Sequence, residues 1–411
     1  MANINIDPNL VESMIMDMGA IGAHSGTGVW RTVYSPEWVA ANDLYAKWGD
    51  EAGLEVNRDA VGNVWAKLVG SHPGKSIVSG SHIDTQKPGG RYDGTLGALS
   101  ALIALKVLKA QFGQPKQTLE AVSLCEEEGS RFSAANFWGS RAITGAISAT
   151  DPETTLGFDG ETIADAMRAI GLNPAAIPSA RRDDIESFVE LHIEQGPILE
   201  HAGFAVGIVD AITGLRHYHV TLSGEQNHAG AFPMDLRHDP MAGFAEIASG
   251  VINNAHRMGR PAVTTVGRCE VTPNGPAVVP GLVRFTIDAR HPDPTKRLEL
   301  YSQHESLMRE VAGRRGLSIT WEPHMEKEPC LSDPSLLTAL REAAAEQRIP
   351  TITMASGAGH DTQQMARIAK TAMIFVRSKD GRSHTPEEFS SIPDIVDGIR
   401  LLAASLHRLA Y

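Results

Sequence analysis

His82 and Asp93, eleven residues apart, are the first residues in this 411-residue chain whose types could do chemistry together. A histidine nitrogen suits zinc, manganese or cobalt, and a carboxylate can bridge two such ions. Farther along come Glu126-Glu127-Glu128, then His192 and His384. Adjacent side chains on extended backbone point opposite ways. Neighbouring glutamates can therefore divide the work, one binding metal and the other serving as general base for a water. His82, Asp93, a glutamate of the run, His192 and His384 make five ligands, enough for two divalent metals sharing a carboxylate. The chemistry such a set supports is metal-assisted hydrolysis. Asp84, two residues after His82, is expected to accept a hydrogen bond from the far imidazole nitrogen and fix the tautomer. Singly, each residue has a plainer reading: His82 as a strand-end histidine, Asp93 as a helix N-cap, the glutamates as a solvated turn. Their joint occurrence favours the site. Cys125 lies in an apolar strand and reads as packing rather than as a nucleophile.

Other residues could hold a substrate. Gln195 offers both a donor and an acceptor. Gly357-Ala358-Gly359-His360-Asp361 is a glycine-rich turn that could present N–H groups to an anion. Thr385 reads as an N-cap with Pro386 at the first helical position, which would anchor His384. Asn227-His228-Ala229-Gly230 follows a strand, and Arg290 lies on the polar face of another. A histidine donor at a developing oxyanion and an arginine on a carboxylate would complete a hydrolase site. Each also reads as an exposed strand-end histidine and a surface salt bridge.

These residues need elements to position them. Apolar runs at 75–80, 118–125, 187–191 and 371–376 read as buried strands, each leading into a candidate ligand. In open α/β sheets, ligands gather outside the carboxyl ends of the strands. Helical patterns at Pro8 to Met18, Pro36 to Ala52 and Gly97 to Phe112 alternate with the strands, which implies a mainly parallel sheet. Past residue 212 the pattern changes to β-α-β-β-α-β, the ferredoxin-like order. Its elements are His217 to Leu222, about Pro240 to Arg257, Ala262 to Val271, Val283 to Arg290, about Pro294 to Arg315, and Leu317 to Trp321. The expected architecture is a catalytic α/β domain, 1–212 and 327–411, with a compact domain, 213–326, inserted.

Composition narrows the partners. A net charge of −12 disfavours nucleic acid and anionic membranes, which select basic patches. An acidic surface still permits an anionic substrate held by a local arginine. Three cysteines far apart suggest neither a disulfide framework nor a Cys-type zinc site, as suits a reducing cytoplasm. The N-terminus, Met1 to Asp7, has no basic start. No segment is expected to supply the roughly 18 apolar residues that span a bilayer.

The segments from His82 to Asp93, Glu126 to Phe132, His192 to Pro197, Asn227 to Met234, Ser356 to Asp361 and Ser383 to Glu387 resemble the amidase, hydantoinase/carbamoylase branch of the dinuclear-metal aminoacylase and carboxypeptidase superfamily. Glu-Glu-Gly-Ser-Arg-Phe and His-Ile-Glu-Gln-Gly-Pro are specific to this branch. The resemblance covers nearly the whole chain. It implies a homodimer with a smaller lid and dimerisation domain, and two divalent metal ions (Zn, Mn or Co) per subunit; with the cysteine usage, the expected compartment is the cytoplasm. It assigns His82 and His192 to one metal, Glu128 and His384 to the other, and Asp93 as the bridge. It makes Glu127 the general base and Gln195, His228 and Arg290 substrate contacts, with His228 polarising the scissile carbonyl; Gly359, in the glycine-rich turn, is expected to join them.

Three departures bear on the substrate. Ala277 stands where the family has asparagine, Phe232 where threonines are common, and Arg377 where proline is common. They favour a small carboxylate substrate with an apolar portion. They make allantoate less attractive and an N-carbamoyl or related N-acyl amino acid more so; the expected substrate is an N-carbamoyl-L-amino acid, with allantoate or an N-acyl amino acid or dipeptide as the alternatives. A catalytically silent metal-binding protein is the alternative of another class, and the free Glu127 argues against it.

Overall fold

The computed structural model describes residues 4–411; Met1, Ala2 and Asn3 of the N-terminal stretch lie outside the described residues. Two compact units emerge. The first comprises the described residues up to 210, 332–354 and 359–411, and the second 211–331 and 355–358.

Along the chain run α1 (Pro8–Ala20), α2 (Pro36–Glu51), β1 (Glu55–Arg58), β2 (Val64–Leu68), β3 (Ser76–His82), α3 (Thr95–Phe112), β4 (Leu119–Leu124), β5 (Ile185–Ile193) and β6 (Val206–Ile212). The second unit follows, with β7 (Gly214–Ser223), α4 (Pro240–Met258), β8 (Val263–Thr272), β9 (Leu282–His291), α5 (Pro294–Arg314) and β10 (Ser318–Lys327). The first unit resumes with α6 (Pro334–Gln347), β11 (Lys370–Val376) and α7 (Ile392–Ala410).

In the first unit the sheet order is β6–β11–β5–β3–β4–β2–β1. The four central strands, β11, β5, β3 and β4, are parallel to one another. The flanks are antiparallel, because β1 and β2 form a hairpin and β6 runs back alongside β11. The parallel character expected of the sheet is found at its centre, where both faces are covered. β3 is buried throughout. Its polar residues are satisfied inside the sheet: Ser79 donates to the Val189 carbonyl at 2.7 Å and Ser81 to Glu190 at 2.7 Å.

Helix α3 corrects one expectation. It is 18 residues long and apolar enough, by length and composition, to cross a membrane. It is 72% buried inside the fold, with leucines and alanines on nearly every side packed into the core. Its approach depends on Gly97, where a Cβ would stand 2.1 Å from the Leu191 carbonyl.

The second unit is a four-stranded antiparallel sheet in the order β8–β9–β7–β10. Alternate residues Tyr218, Val220 and Leu222 of β7 and Val283, Phe285 and Ile287 of β9 are buried with residues of α4 and α5. The opposite residues of those strands, His217, His219 and Asp288 among them, stand on the other face.

Candidate metal centre

The ends of β3 and β5, the turn into α3, the turn after β4 and the loop after β11 bring their side chains together. Asp93 is the hub. His192 Nε2 lies 3.3 Å and His82 Nε2 3.8 Å from Oδ1, while His384 Nε2 lies 3.4 Å from Oδ2. His384 Nε2 is also 3.4 Å from Glu128 Oε2. Two sets of donor atoms therefore share one carboxylate: His82, Asp93, His192, and Asp93, Glu128, His384. Glu127 Oε2 stands 3.6 Å from His82 Nε2, beside the first set and next in sequence to Glu128 of the second. A third grouping, Glu190, His192 and His360, is also close. There the Glu190 oxygens already accept from Ser81 and from the Thr362 N–H and hydroxyl.

The histidines are oriented for ligation. His82 Nδ1 bonds the Asp84 backbone carbonyl at 3.0 Å, and His192 Nδ1 the Ile193 carbonyl at 3.0 Å. With Nδ1 directed at a carbonyl, each ring turns Nε2 toward Asp93, and His192 Nε2 also meets the Gly94 N–H at 3.2 Å. This corrects the role expected of Asp84. Its carboxylate stands 3.7 Å from His82 Nδ1 and instead accepts the N–H groups of Glu127 and Glu128, at 3.4 and 3.2 Å. Asp84 thus orients the acidic turn, and its main chain orients the histidine. The φ angles of Glu126, Gln195 and His384 are +49°, +56° and +57°. Such conformations are costly for residues other than glycine and collect at functional sites. Gly94, φ +59°, has no alternative: a Cβ there would stand 2.2 Å from His82 Nε2.

Electrostatically the site wants cations. Burial, then the charges of Glu128, Asp361, Asp84 and Asp93, push the Glu127 carboxyl well up. Burial, then Asp93 and Asp84, do the same to Glu128. Burial also raises the Asp93 carboxyl, but His192, His82 and His384 outweigh it and hold it far below the usual range. Burial lowers the His192 imidazole, yet Asp93 reverses this and brings it to about 9. Crowded carboxylates that repel one another and share histidine donors fit divalent cations.

Residues that spacing did not reveal hold the ligands. Gln86 Nε2 donates to Glu128 Oε2 at 2.8 Å. Glu388 Oε1 accepts the Tyr92 and Asp93 N–H groups at 2.8 and 2.9 Å. The Ser383 hydroxyl donates to Asp93 Oδ2. The buried Arg31 guanidinium donates to the Ile83 carbonyl at 2.7 Å and to Thr95 Oγ1 at 2.9 Å, bracing the two segments that carry His82 and Asp93. Their only prior signal was proximity in sequence to a ligand, and Arg31 lacked even that.

Gln195 donates to Asp93 Oδ2, while its Oε1 is buried without a partner. Gly359 packs near Gln363 and Phe137. Thr385 is not an N-cap: residues 384–391 are turn and coil, the Thr385 hydroxyl bonds Glu387, and α7 begins at Ile392 with Ser391 as its cap. The Pro386-Glu387-Glu388 turn gives its backbone to closing the loop, and the later Ser391-Ile392-Pro393 captures the helix start. Arg377 pairs with Asp394 through contacts of 2.8 to 3.0 Å, tying the end of β11 to α7. Cys125 is fully buried, and its thiol is pushed up first by burial, as a packing residue should be.

Within the second unit, His228 is exposed and its Nδ1 accepts the N–H groups of Gly230 and Ala231, each at 3.1 Å. Arg290 grips Asp288 with two bonds of 2.8 Å and the Gly357 carbonyl at 2.7 Å. Asp288 in turn bonds His217 at 2.5 Å. Period-two spacing puts Asp288 and Arg290 on one face, a signal that could have found this pair.

Residues 78–408 match the profile of Peptidase family M20/M25/M40. The chain is 40% identical over 402 residues to an allantoate amidohydrolase of Escherichia coli, covering 98% of each chain. It is 37% identical over 401 residues to an N-carbamoyl-L-amino acid amidohydrolase of Geobacillus stearothermophilus, covering 96% and 97%. A crystal structure of an amidase of the hydantoinase/carbamoylase family from Burkholderia multivorans superposes with a TM-score of 0.92 at 33% identity, covering 99% and 98%.

Proposed function

The chain belongs to the peptidase family M20/M25/M40 and is a hydrolase of linear ureido or amide C–N bonds; on that premise we propose that its substrate is a 2-ureido carboxylate, an N-carbamoyl-L-amino acid, cleaved at a centre holding two divalent ions of zinc, manganese or cobalt. The observation that carries this reading is the sharing of Asp93 between two donor sets with Glu127 beside the first. His82, His192 and Asp93 would hold one ion, and Asp93, Glu128 and His384 the other.

Bound divalent cations supply Lewis acidity at the scissile carbonyl and lower the pKa of an attacking water. Glu127 takes a proton from that water as its oxygen attacks the ureido carbon. The same carboxyl returns the proton to the departing nitrogen, the terminal C–N bond breaks, and ammonia leaves. The remaining carbamate falls apart to carbon dioxide and the amino acid. In this scheme the His228 Nε2–H donates to the developing oxyanion. Arg290, whose recorded bonds use three of its five N–H groups, has two left for a substrate carboxylate. Gln195 and Gly359 complete the substrate contacts.

A second reading, allantoate, is favoured by the higher identity to the Escherichia coli relative. Allantoate carries the same ureido and carboxylate groups, so the machinery serves both. We further propose a cytoplasmic homodimer. The three cysteines lie far apart in the sequence, as suits a reducing compartment, and β10 is an edge strand of the second unit's four-stranded sheet, the kind of strand through which two copies can pair. That unit would act as lid and dimerisation domain. The test is ammonia release from a panel of N-carbamoyl-L-amino acids, allantoate and N-acyl amino acids, each metal being added back in turn. Turnover of N-acyl amino acids alone, with no ammonia from any ureido compound, would sink the ureido reading.

A further inference from the structure

His228 opens a loop that folds back on itself within the second unit. Asn227 and His228 pair antiparallel with Val279 and Val278, and the Ala229 N–H donates to the Ala277 carbonyl at 3.0 Å. The chain then runs out through Pro233, makes one 3₁₀ turn at Met234–Leu236, and returns to Asp239, the N-cap of α4. Most of the loop is exposed, so packing does little to hold its shape.

Arg237 supplies what packing does not. Its Nε donates to the Phe232 carbonyl at 3.1 Å. Its Nη2 donates to the same carbonyl at 2.9 Å and to the Ala229 carbonyl at 2.6 Å. One rigid guanidinium therefore ties together the two ends of the segment 229–232. Between those ends lie Gly230 and Ala231, whose N–H groups both point at His228 Nδ1. A ring nitrogen that accepts two hydrogen bonds carries no proton, so the neutral imidazole holds its proton on Nε2.

We infer that Arg237 is a positioning residue: by clamping the carbonyls of Ala229 and Phe232 it aims two backbone N–H groups at His228 Nδ1 and so presents Nε2–H as the hydrogen-bond donor. The inference rests on the proposed donor role of His228 and deepens it. A lysine is a poorer clamp: Nη2 meets both carbonyls, but Nε holds Phe232 a second time and the planar guanidinium fixes the direction of all three bonds, which a rotating ammonium on a flexible stem does not.

The test is a double-mutant cycle on the full-length, metal-loaded chain, with the best ureido substrate of the panel. Arg237→Ala should lower kcat by about 10- to 100-fold with little change in KM. His228→Ala should lower it at least as far, and the double variant no farther than His228→Ala alone. Guanidinium chloride at low, non-denaturing concentration should restore part of the Arg237→Ala activity and none in the double variant, while Arg237→Lys stays impaired. Wild-type kcat in Arg237→Ala, or a double variant whose loss is the product of the two single losses, would overturn the inference. If Arg237→Ala does not fold by circular dichroism, Arg237→Gln takes its place. Failure of the His228 role reads differently: His228→Ala would keep wild-type turnover. Long-range ¹⁵N–¹H spectra of histidine-labelled chain then still judge the clamp. They should show the Nε2–H tautomer at His228 in the wild type and a mixture without Arg237; the same tautomer in both would refute it.

Discussion

The Gln195 side-chain nitrogen donates to Oδ2 of Asp93 at 2.8 Å. The amide thus holds the carboxylate that both donor sets share, from a residue 102 positions away in sequence. Partners of this kind fix the direction of a ligand's lone pairs. Gln195→Ala should weaken metal binding about 10- to 100-fold, read by titrating the apo chain with zinc or manganese. An unchanged dissociation constant would remove Gln195 from the support of Asp93.

Glu127 stands beside the first donor set while Glu128 joins the second. Glu127→Gln keeps the shape and removes the base. Turnover should fall by about 10²- to 10⁴-fold, with metal content unchanged by elemental analysis. Activity like the wild type would disprove the general-base role.

Gly94→Ala tests how tightly the turn after Asp93 is built. The added methyl would stand 2.2 Å from His82 Nε2, on a backbone with φ +59°. Both effects act at once, so the variant should bind less metal and lose about 1–3 kcal/mol of stability from the backbone alone. Melting with and without added metal measures both. Full occupancy and an unchanged Tm would contradict the packing described.

His304 predicts a pH dependence in the second unit. It is fully buried, with Nδ1 facing Asn254 Nδ2 at 3.2 Å and Nε2 facing Thr264 Oγ1 at 3.0 Å. Burial lowers its pKa from about 6.5 to about 4. Between those values the unfolded chain binds a proton that the folded unit refuses, so stability rises with pH. It is fully present above about pH 6.5 and drains away as pH falls toward 4, by on the order of 3 kcal/mol in all. Amide exchange in α4 and α5 should accelerate over that interval, and His304→Gln should flatten the response. An equal slope in the variant would place its origin elsewhere.

Much of the site was legible because its parts are local. Strand runs that are apolar on both faces announce central parallel strands, and a histidine or carboxylate at their ends announces a ligand-binding edge. α1 to α5 appeared within a few residues of their observed bounds, four of them because Pro and an Asp or Ser cap mark their starts, as at Asp239-Pro240 and Asp293-Pro294, while α6 went unread. Thr385-Pro386 carries the same mark and begins no helix. A capping pattern is permissive, and there the chain closes a loop that presents His384 instead.

The sequence by itself determined the residue types of the candidate centre and the strand ends and turns that carry them. Only the tertiary structure decided which atoms do the holding. It assigned the Asp84 carboxylate to the acidic turn, not the imidazole, set Gln195 on Asp93, paired Asp288 with Arg290, and closed Arg237 on the loop that carries His228. The physical reason is reach. A hydrogen bond is settled by a few tenths of an ångström and a direction, and neither is written in the spacing of residues that meet only when the chain has folded.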